Sequence, residues 1–541
     1  MGRTESDSGG ETTETTTTTA PSPHDVAIGA PAVRKEREAR EAHERAAAEN
    51  AQREQAREVG APGALVLPEI GGAERPRRLL LIGLDGAAPE LAIGAWRTQL
   101  RTMHMLTDRG ARGRLRSSMP WFSAPAWQSL LSGREPAQLG VYGRRQRRGY
   151  SYAAPTDLDS NDVQEPRLWD LLGGAGRQVG VVAAPATTPP QPVRGQLIGD
   201  RPVSGAPATY PPALAQLIAA WLADAPAGEP TAGGDLEQIV GDIYARTEQR
   251  FRLARRLLAR DSYGCFVVCD DGIAAIQRIL WDTLDVTHPR FRPNHPLADT
   301  ISLFYRFVDE QIGELLELID GDTIVAVVSA CGMQALDGEL SLNDWLIAQG
   351  DLALRSAPAG PTPIEQCDVD WARTRAWSGD DGAIYLNVAG REPQGTVPAD
   401  QAEQTLTDLS ERLRAIEPPA TASSSQPDQS SGVPEVEVMR PPAVYSASSG
   451  VVPDLVAICA RPGWRAGASV GHGRAWVSTR EAALDAAYES PSGFFVIYDP
   501  HGQGKQVELD EASIYDLAPT LLALLGEPAA SRLRGRAIPG L

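Results

Sequence analysis

Short unbroken apolar runs alternate along this chain with stretches whose apolar residues recur every three or four positions. Leu79–Leu84 is one such run, ending in Gly-Leu-Asp-Gly. Its lack of polar alternation predicts a strand buried on both faces that opens into a loop. The same reading predicts strands at Gln178–Ala183, Gly264–Cys269, Thr323–Ser329 and Gly493–Tyr498, and helices at Arg167–Gly174, Leu297–Ile319 and Ile514–Leu525. Strands alternating with helices predict an α/β fold with a mainly parallel central sheet and helices on both faces. Working loops in such sheets sit at the carboxyl ends of strands. Asp85, Asp270, Asp271, Ala330 and Cys331 fall at those ends, where chemistry is expected.

The pattern is absent from the first 74 residues. Residues 1–32 are rich in Thr, Ser, Pro and Gly and are expected to form a disordered acidic tail. Residues 33–74 are expected to form a polar, charged helix and linker. Between Arg34 and Val59 strong helix formers carry opposite charges one turn apart, as at Glu41 and Arg45. That stretch has almost no apolar stripe, so it reads as a solvated helical extension or, alternatively, as an arm that meets a protein partner. The ordered body is expected over residues 75–541, with flexible Pro/Gly/Ser-rich loops near 224–234 and 420–433. There are no internal repeats.

Composition narrows the function classes. Over 541 residues, 70 acidic side chains outnumber 51 basic ones, for a net charge of -19. This balance argues against nucleic acid and against anionic membranes as partners, since both attract basic surfaces. The basic run Arg144, Arg145, Arg147 and Arg148 is a local exception and reads as a solvated loop. Five scattered cysteines make no disulfide framework and suit a reducing compartment. Cys265 and Cys269, on one face of a strand, read as core residues. With no secretory signal and no apolar run of membrane-spanning length, a cytoplasmic protein is expected. Gly2 with Ser6 fits the loose myristoylation pattern, but no basic cluster or second anchor follows.

Three stretches in order then carry a resemblance. They are Leu80–Gly86, ending Leu-Asp-Gly; Phe122–Gly133, containing Ser-Ala-Pro-Ala-Trp and preceded by Gly113–Ser117; and Ile514–Gly526, containing Asp-Leu-Ala-Pro-Thr. Further similar stretches lie between them, at Leu168–Leu172, Tyr210–Pro212, Leu342–Leu346, Ile384–Val388 with Gly390–Pro393, and Pro453–Leu455. In number and order they resemble the alkaline phosphatase superfamily, in its type I phosphodiesterase/nucleotide pyrophosphatase branch of phosphohydrolases and phosphomutases. The resemblance runs from about Leu79 to the C-terminus. It implies an alkaline-phosphatase-like sheet with smaller inserted cap segments. It also implies two metal ions, usually zinc, acting on a Ser or Thr nucleophile at the head of a helix.

Residue by residue, the resemblance places the nucleophile at Ser123 and the first metal-ligand carboxylate at Asp85. Without it, Ser123 reads as a helix N-cap and Asp85 as a loop carboxylate. The remaining ligand positions are substituted. An Asp and a His four apart map to Ala274 and Arg278, an Asp-His pair to Ala330 and Cys331, and a last His to Glu489. Cys331 and Glu489 retain an atom able to coordinate; Ala274 and Ala330 do not, and Arg278 brings a fixed cation. Zinc needs three or more protein ligands per ion. His472, the nearest histidine, lies outside the frame.

The leading expectation is therefore a pseudoenzyme that binds, scaffolds or regulates and carries no cofactor. Arg278 would hold a phosphorylated or anionic group near Ser123, or pair with Asp270, Asp271 or Asp85 to fill the site. The alternative is an active phosphodiesterase or phosphatase acting through Ser123. It would draw on Asp85, Asp270, Asp271, Cys331 and Glu489 around zinc or another divalent ion such as magnesium. A third reading makes Cys331 the nucleophile, although a buried thiol after a strand is more often inert.

Overall fold

The computed structural model describes residues 76–203, 205–222, 235–417, 435–481, 484–502, 507–528, 531 and 533–541. The chain divides into a unit Met1–Val66 and a unit Leu67–Leu541, and everything below concerns the second. The expected tail (1–32), charged helix and linker (33–74) and loops (224–234, 420–433) lie outside the described residues.

A nine-stranded sheet forms the centre. Its strands in chain order are β1 (Arg78–Leu84), β2 (Ala111–Arg116), β3 (Val179–Val182), β4 (Gly195–Ile198), β5 (Thr209–Tyr210), β6 (Cys265–Asp270), β7 (Thr323–Ser329), β8 (Ser492–Tyr498) and β9 (Val507–Ser513). Across the sheet the order is β9-β2-β8-β7-β1-β6-β3-β4-β5. The block β7-β1-β6-β3-β4 is parallel throughout, whereas β8 runs antiparallel to both its neighbours and β5 antiparallel to β4. The expected mainly parallel sheet is observed. Strands β1, β6 and β7 read as unbroken apolar runs because both of their faces are covered.

Strand parity divides the core into two layers. Leu79 and Leu81, Cys265, Val267 and Cys269, and Ile324, Ala326 and Val328 point into one layer. There they meet Trp127 and Leu130 of helix α1 (Ser123–Ser132), Trp169 of helix α2 (Leu168–Gly174), and Leu521 and Leu522 of the C-terminal helix Leu517–Leu524. Cys265 and Cys269 are thus core residues, as expected. Each fully buried Leu, Ile or Val contributes about 1.5–3 kcal/mol relative to exposure. Helices α3 (Leu236–Arg260), α4 (Gly272–Leu284) and α5 (Thr300–Leu316) pack on one another, and α3 reaches β6 and β3. Helix α5 is shorter than the predicted Leu297–Ile319, because Asp299 takes its N-cap position and Leu297 lies in the turn before it. The C-terminal helix likewise begins after a 3-10 turn at Ile514–Asp516, closed by Ser513 and Asp516.

Between β7 and β8 the chain inserts a smaller lobe. It holds a four-stranded sheet (Ala376–Ser378, Ala383–Leu386, Leu455–Cys459, Val436–Met439) and a three-stranded one centred on Gly338–Ser341. Its own core gathers Leu340, Trp345, Ile384, Leu386, Leu409 and Leu455.

The basic run is not a solvated loop. Arg145 is paired with Asp380 and Glu365 of the inserted lobe. Arg147, with its side chain only 7% exposed, reaches Glu392 at 3.2 Å and lies over the rings of Trp377 and Tyr385. Arg148 meets Asp159 and Asp162, which leaves only Arg144 with an exposed side chain and no ion pair among the described residues. A run of like charges is legible in sequence; these acidic and aromatic partners of Arg145 and Arg147 lie more than 200 residues away, in the inserted lobe.

Candidate active site

Parallel register brings three strand ends level: Leu84 lies beside Asp270, and Gly83 beside Val328. The loops that follow β1, β6 and β7 therefore emerge side by side. Asp85 leaves β1 with its amide bonded to the Asp270 carbonyl at 2.8 Å. Gly86 then turns with φ +67°, a left-handed conformation that favours glycine. A Cβ there would stand 2.7 Å from the Ala274 Cβ and 2.9 Å from Met333 Cγ, so the turn packs directly on α4.

Ser123 opens α1. It is not the N-cap, a position held by Phe122 without any side-chain bond. The Ser123 hydroxyl instead donates to Asp85 Oδ1 at 2.8 Å, and the indole N–H of the fully buried Trp127 donates to the same oxygen at 2.7 Å. Burial pushes the Asp85 carboxyl up to about 6, despite these two donors and the charge of Arg278. The pair thus couples a hydroxyl to a carboxylate able to take its proton near neutrality. Trp127 was legible only as part of a motif; its role as a donor became visible once the helix and the strand end were juxtaposed.

Arg278 projects from α4 and its Nη2 lies 2.5 Å from Glu489 Oε1. Glu489 reaches this point because Gly332–Ala335 pairs antiparallel with Ala487–Ser490, setting Glu489 opposite Met333. Burial alone would raise the Glu489 carboxyl, but Arg278 overrides it and holds the group below its usual range. The same ion pair raises the Arg278 guanidinium, against a burial that opposes it. Ala330 and Cys331 follow β7 and are fully buried, with the Cys331 carbonyl accepting the Ser329 hydroxyl at 2.7 Å. Burial, and then the negative charges of Asp85 and Glu489, push the Cys331 thiol well up, which keeps it protonated and unsuited to nucleophilic attack.

Asp270 and Asp271 do not join this group. Leu84 and Asp270 are register partners on the sheet face opposite the one that carries Gly83, Cys269 and Trp127. The Asp270 carboxylate accepts from Thr247 at 2.9 Å, from Arg250 at 3.1 Å and from the Gly272 amide at 2.8 Å. Asp271 is paired with Arg250 and Arg246. Arg278 accordingly takes Glu489 as its partner and neither of these two. His472 is bonded to the Ser469 hydroxyl at 2.8 Å and, through its amide, to Asp344, in the inserted lobe.

Two buried residues unmarked by any chemistry in the sequence also shape the site. Gln277 Nε2 donates to the Gly86 carbonyl at 2.7 Å, Gln277 Oε1 accepts from the Tyr305 hydroxyl at 3.1 Å, and the Ala88 amide donates to that same hydroxyl at 2.9 Å.

The donor chemistry does not fit a two-metal centre. Ala274 and Ala330 present methyl groups, Arg278 a fixed cation and Cys331 a protonated thiol, while Glu489 is committed to Arg278. Among the described residues no cluster of three or more His, Cys, Asp or Glu side chains is arranged to hold an ion.

The sheet order, the inserted lobe and the Asp85–Ser123 pair at the strand ends define an alkaline-phosphatase-like α/β protein. The chain belongs to the type I phosphodiesterase / nucleotide pyrophosphatase family, whose model matches residues 79–484. Among solved structures it is similar to murine ectonucleotide pyrophosphatase/phosphodiesterase 5, an inactive variant in complex with AMP. That match has 12% identity and a TM-score of 0.51, over 84% of this chain and 96% of that one. The human counterpart matches with 13% identity and a TM-score of 0.50, over 85% and 97%. At such identity the likeness concerns the fold. No curated protein matches the chain.

Proposed function

We propose that this chain is a catalytically inactive member of its family, working as a binding, scaffolding or regulatory protein for a phosphorylated or anionic ligand. The observation that carries the reading is the Arg278–Glu489 ion pair, at the positions where the family resemblance calls for two metal-ligating histidines. A fixed cation and its counter-ion satisfy each other there, and the neighbouring Ala274 and Ala330 offer no donor. Arg278 keeps 31% of its side chain exposed while one nitrogen is engaged by Glu489, leaving N–H groups for an oxyanion. On this reading hydrolysis by two ions is absent and no metal is carried. The cytoplasm is its compartment, and all five cysteines are free. The segment 34–59 is its contact for a protein partner.

A second reading is favoured by one observation, the 2.8 Å bond from Ser123 to an Asp85 carboxyl that titrates near 6. It makes the chain an active phosphodiesterase or phosphatase that attacks through Ser123 with a reorganised site, and it leaves open a divalent ion at Asp85. Elemental analysis of the purified protein, with turnover of a chromogenic phosphodiester with and without zinc, manganese or magnesium, separates the two. No stoichiometric metal and no turnover, with a saturable rise in melting temperature on adding a phosphorylated ligand, is the expected result. Stoichiometric metal with turnover lost in Ser123→Ala overturns the first reading.

A further inference from the structure

The loop Asp85–Ala88 has polar backbone groups that no neighbouring strand satisfies. The Gly86 carbonyl and the Ala88 amide face α4 and α5, and both are met by side chains. Gln277, fully buried on α4, donates to Gly86 and accepts from Tyr305; Tyr305, 3% exposed on α5, accepts from Ala88. The result is a closed relay, Gly86–Gln277–Tyr305–Ala88, that clasps the two residues flanking Ala87. Every bond is 2.7–3.1 Å and lies in an apolar layer where an unmet polar group is costly. Gly86 packs against Ala274, one turn before Gln277 on the same helix. On the opposite side of the loop, Ser123 and Trp127 both point at a single carboxylate oxygen. Two donors on one oxygen demand a narrow carboxylate orientation, and the carboxylate's own backbone is fixed from behind by the relay.

We propose that Gln277 and Tyr305 are positioning residues that hold Asp85 in register with Ser123 and Trp127, so that α4 clamps the loop of the site. The proposal deepens the reading above only in treating the Asp85–Ser123 pair as the working floor of the site. A relay that merely satisfied buried backbone would leave the Asp85 carboxylate, on the far side of the loop, undisturbed when one bond is lost.

The test uses the full chain labelled with ¹⁵N-tryptophan, the Trp127 indole signal being the one lost in Trp127→Phe. Tyr305→Phe and Gln277→Met are each expected to move that indole proton upfield and to speed its solvent exchange by about tenfold. Trp345 and Trp476, in the inserted lobe, keep their signals. Trp96 is no control, because its ring packs on Tyr305 at 5.2 Å. An unchanged Trp127 signal in the folded variants overturns the proposal. Should Gln277→Met fail to fold, Tyr305→Phe, which deletes one oxygen, decides alone. Bound metal with turnover in the unmodified chain would overturn the pseudoenzyme reading, whereas the relay is judged by the change of the Trp127 signal from parent to variant, so the two failures are told apart.

Discussion

Arg278 Nη2 and Glu489 Oε1 stand 2.5 Å apart, joining residues 211 positions distant in the sequence. Arg278 sits on α4, the helix that follows β6, and Glu489 on a two-stranded ribbon just before β8. Each compensates a charge that the other would leave buried, and each influences the Asp85 carboxyl, Arg278 lowering it and Glu489 raising it.

Removing one member of this pair costs more than removing both. Glu489 is the more enclosed partner, so Arg278→Ala strands a carboxylate and should destabilise the protein by about 2 kcal/mol, below the full buried-pair value because Arg278 is partly exposed. Arg278→Met with Glu489→Leu should be close to neutral. Thermal unfolding of the three proteins checks the order; equal losses in single and double variants would refute the coupling.

Metal affinity should be recoverable, because the substituted positions converge on Asp85. The chain carrying Ala274→Asp, Arg278→His, Ala330→Asp, Cys331→His and Glu489→His is expected to take up stoichiometric zinc, measured by elemental analysis after dialysis. Uptake no greater than that of the unmodified chain would show that the backbone no longer holds the metal geometry.

The raised Asp85 carboxyl fixes the sign of a pH effect. Its pKa is about 6 in the folded chain against 3.8 for an unperturbed aspartate, so the folded state binds the extra proton between these limits. Stability from this group is therefore full below about pH 4 and lost as pH rises through about 6. Asp85→Asn keeps an acceptor for Ser123 and Trp127 and should stabilise the protein by about 1–3 kcal/mol at pH 7.5, with the gain vanishing near pH 4. Unfolding of both proteins across that range reads it directly. A gain that grows toward acid pH would contradict the assignment.

Gly86→Ala meets both a positive φ and two carbon atoms under 3 Å from the new methyl. It should lower stability by about 1–3 kcal/mol. Since it distorts the Asp85 turn, it should also displace the Trp127 indole signal. A melting temperature within error of the parent's would argue against the packed turn.

The basic run offers a contrast within four residues. Arg147 is enclosed by rings and paired with the fully buried Glu392, so Arg147→Ala should destabilise by about 2 kcal/mol. Arg144→Ala, on an exposed side chain, should stay within about 0.5 kcal/mol. Equal melting temperatures for the two variants would restore the solvated-loop reading.

Periodicity and motif order were enough to place β1, β3, β6, β7 and β8, the helix at Leu168–Gly174, the parallel character of the sheet and the family. A strand buried on both faces must be continuously apolar, and a run that stops at a carboxylate must end in a loop. The convergence of Asp85 with Ser123 was legible through the resemblance. What sequence could not give was the direction in which side chains point and the partners they meet. Asp270 ends its strand beside Leu84, yet the two-residue alternation of a pleated strand turns it toward Thr247 and Arg250, away from Ser123. Nothing in the letters Asp-Asp at 270 and 271 distinguishes the two faces; only the register with β1 does. Ser123 likewise sits at a helix start in any reading, but whether its hydroxyl caps the helix or turns to Asp85 depends on the strand end beside it. The Arg278–Glu489 pair and the Gln277–Tyr305 relay are decided by tertiary structure alone, because charge and hydrogen-bond partners are chosen by distance in space, and the chain brings these residues together only after the sheet has closed its order.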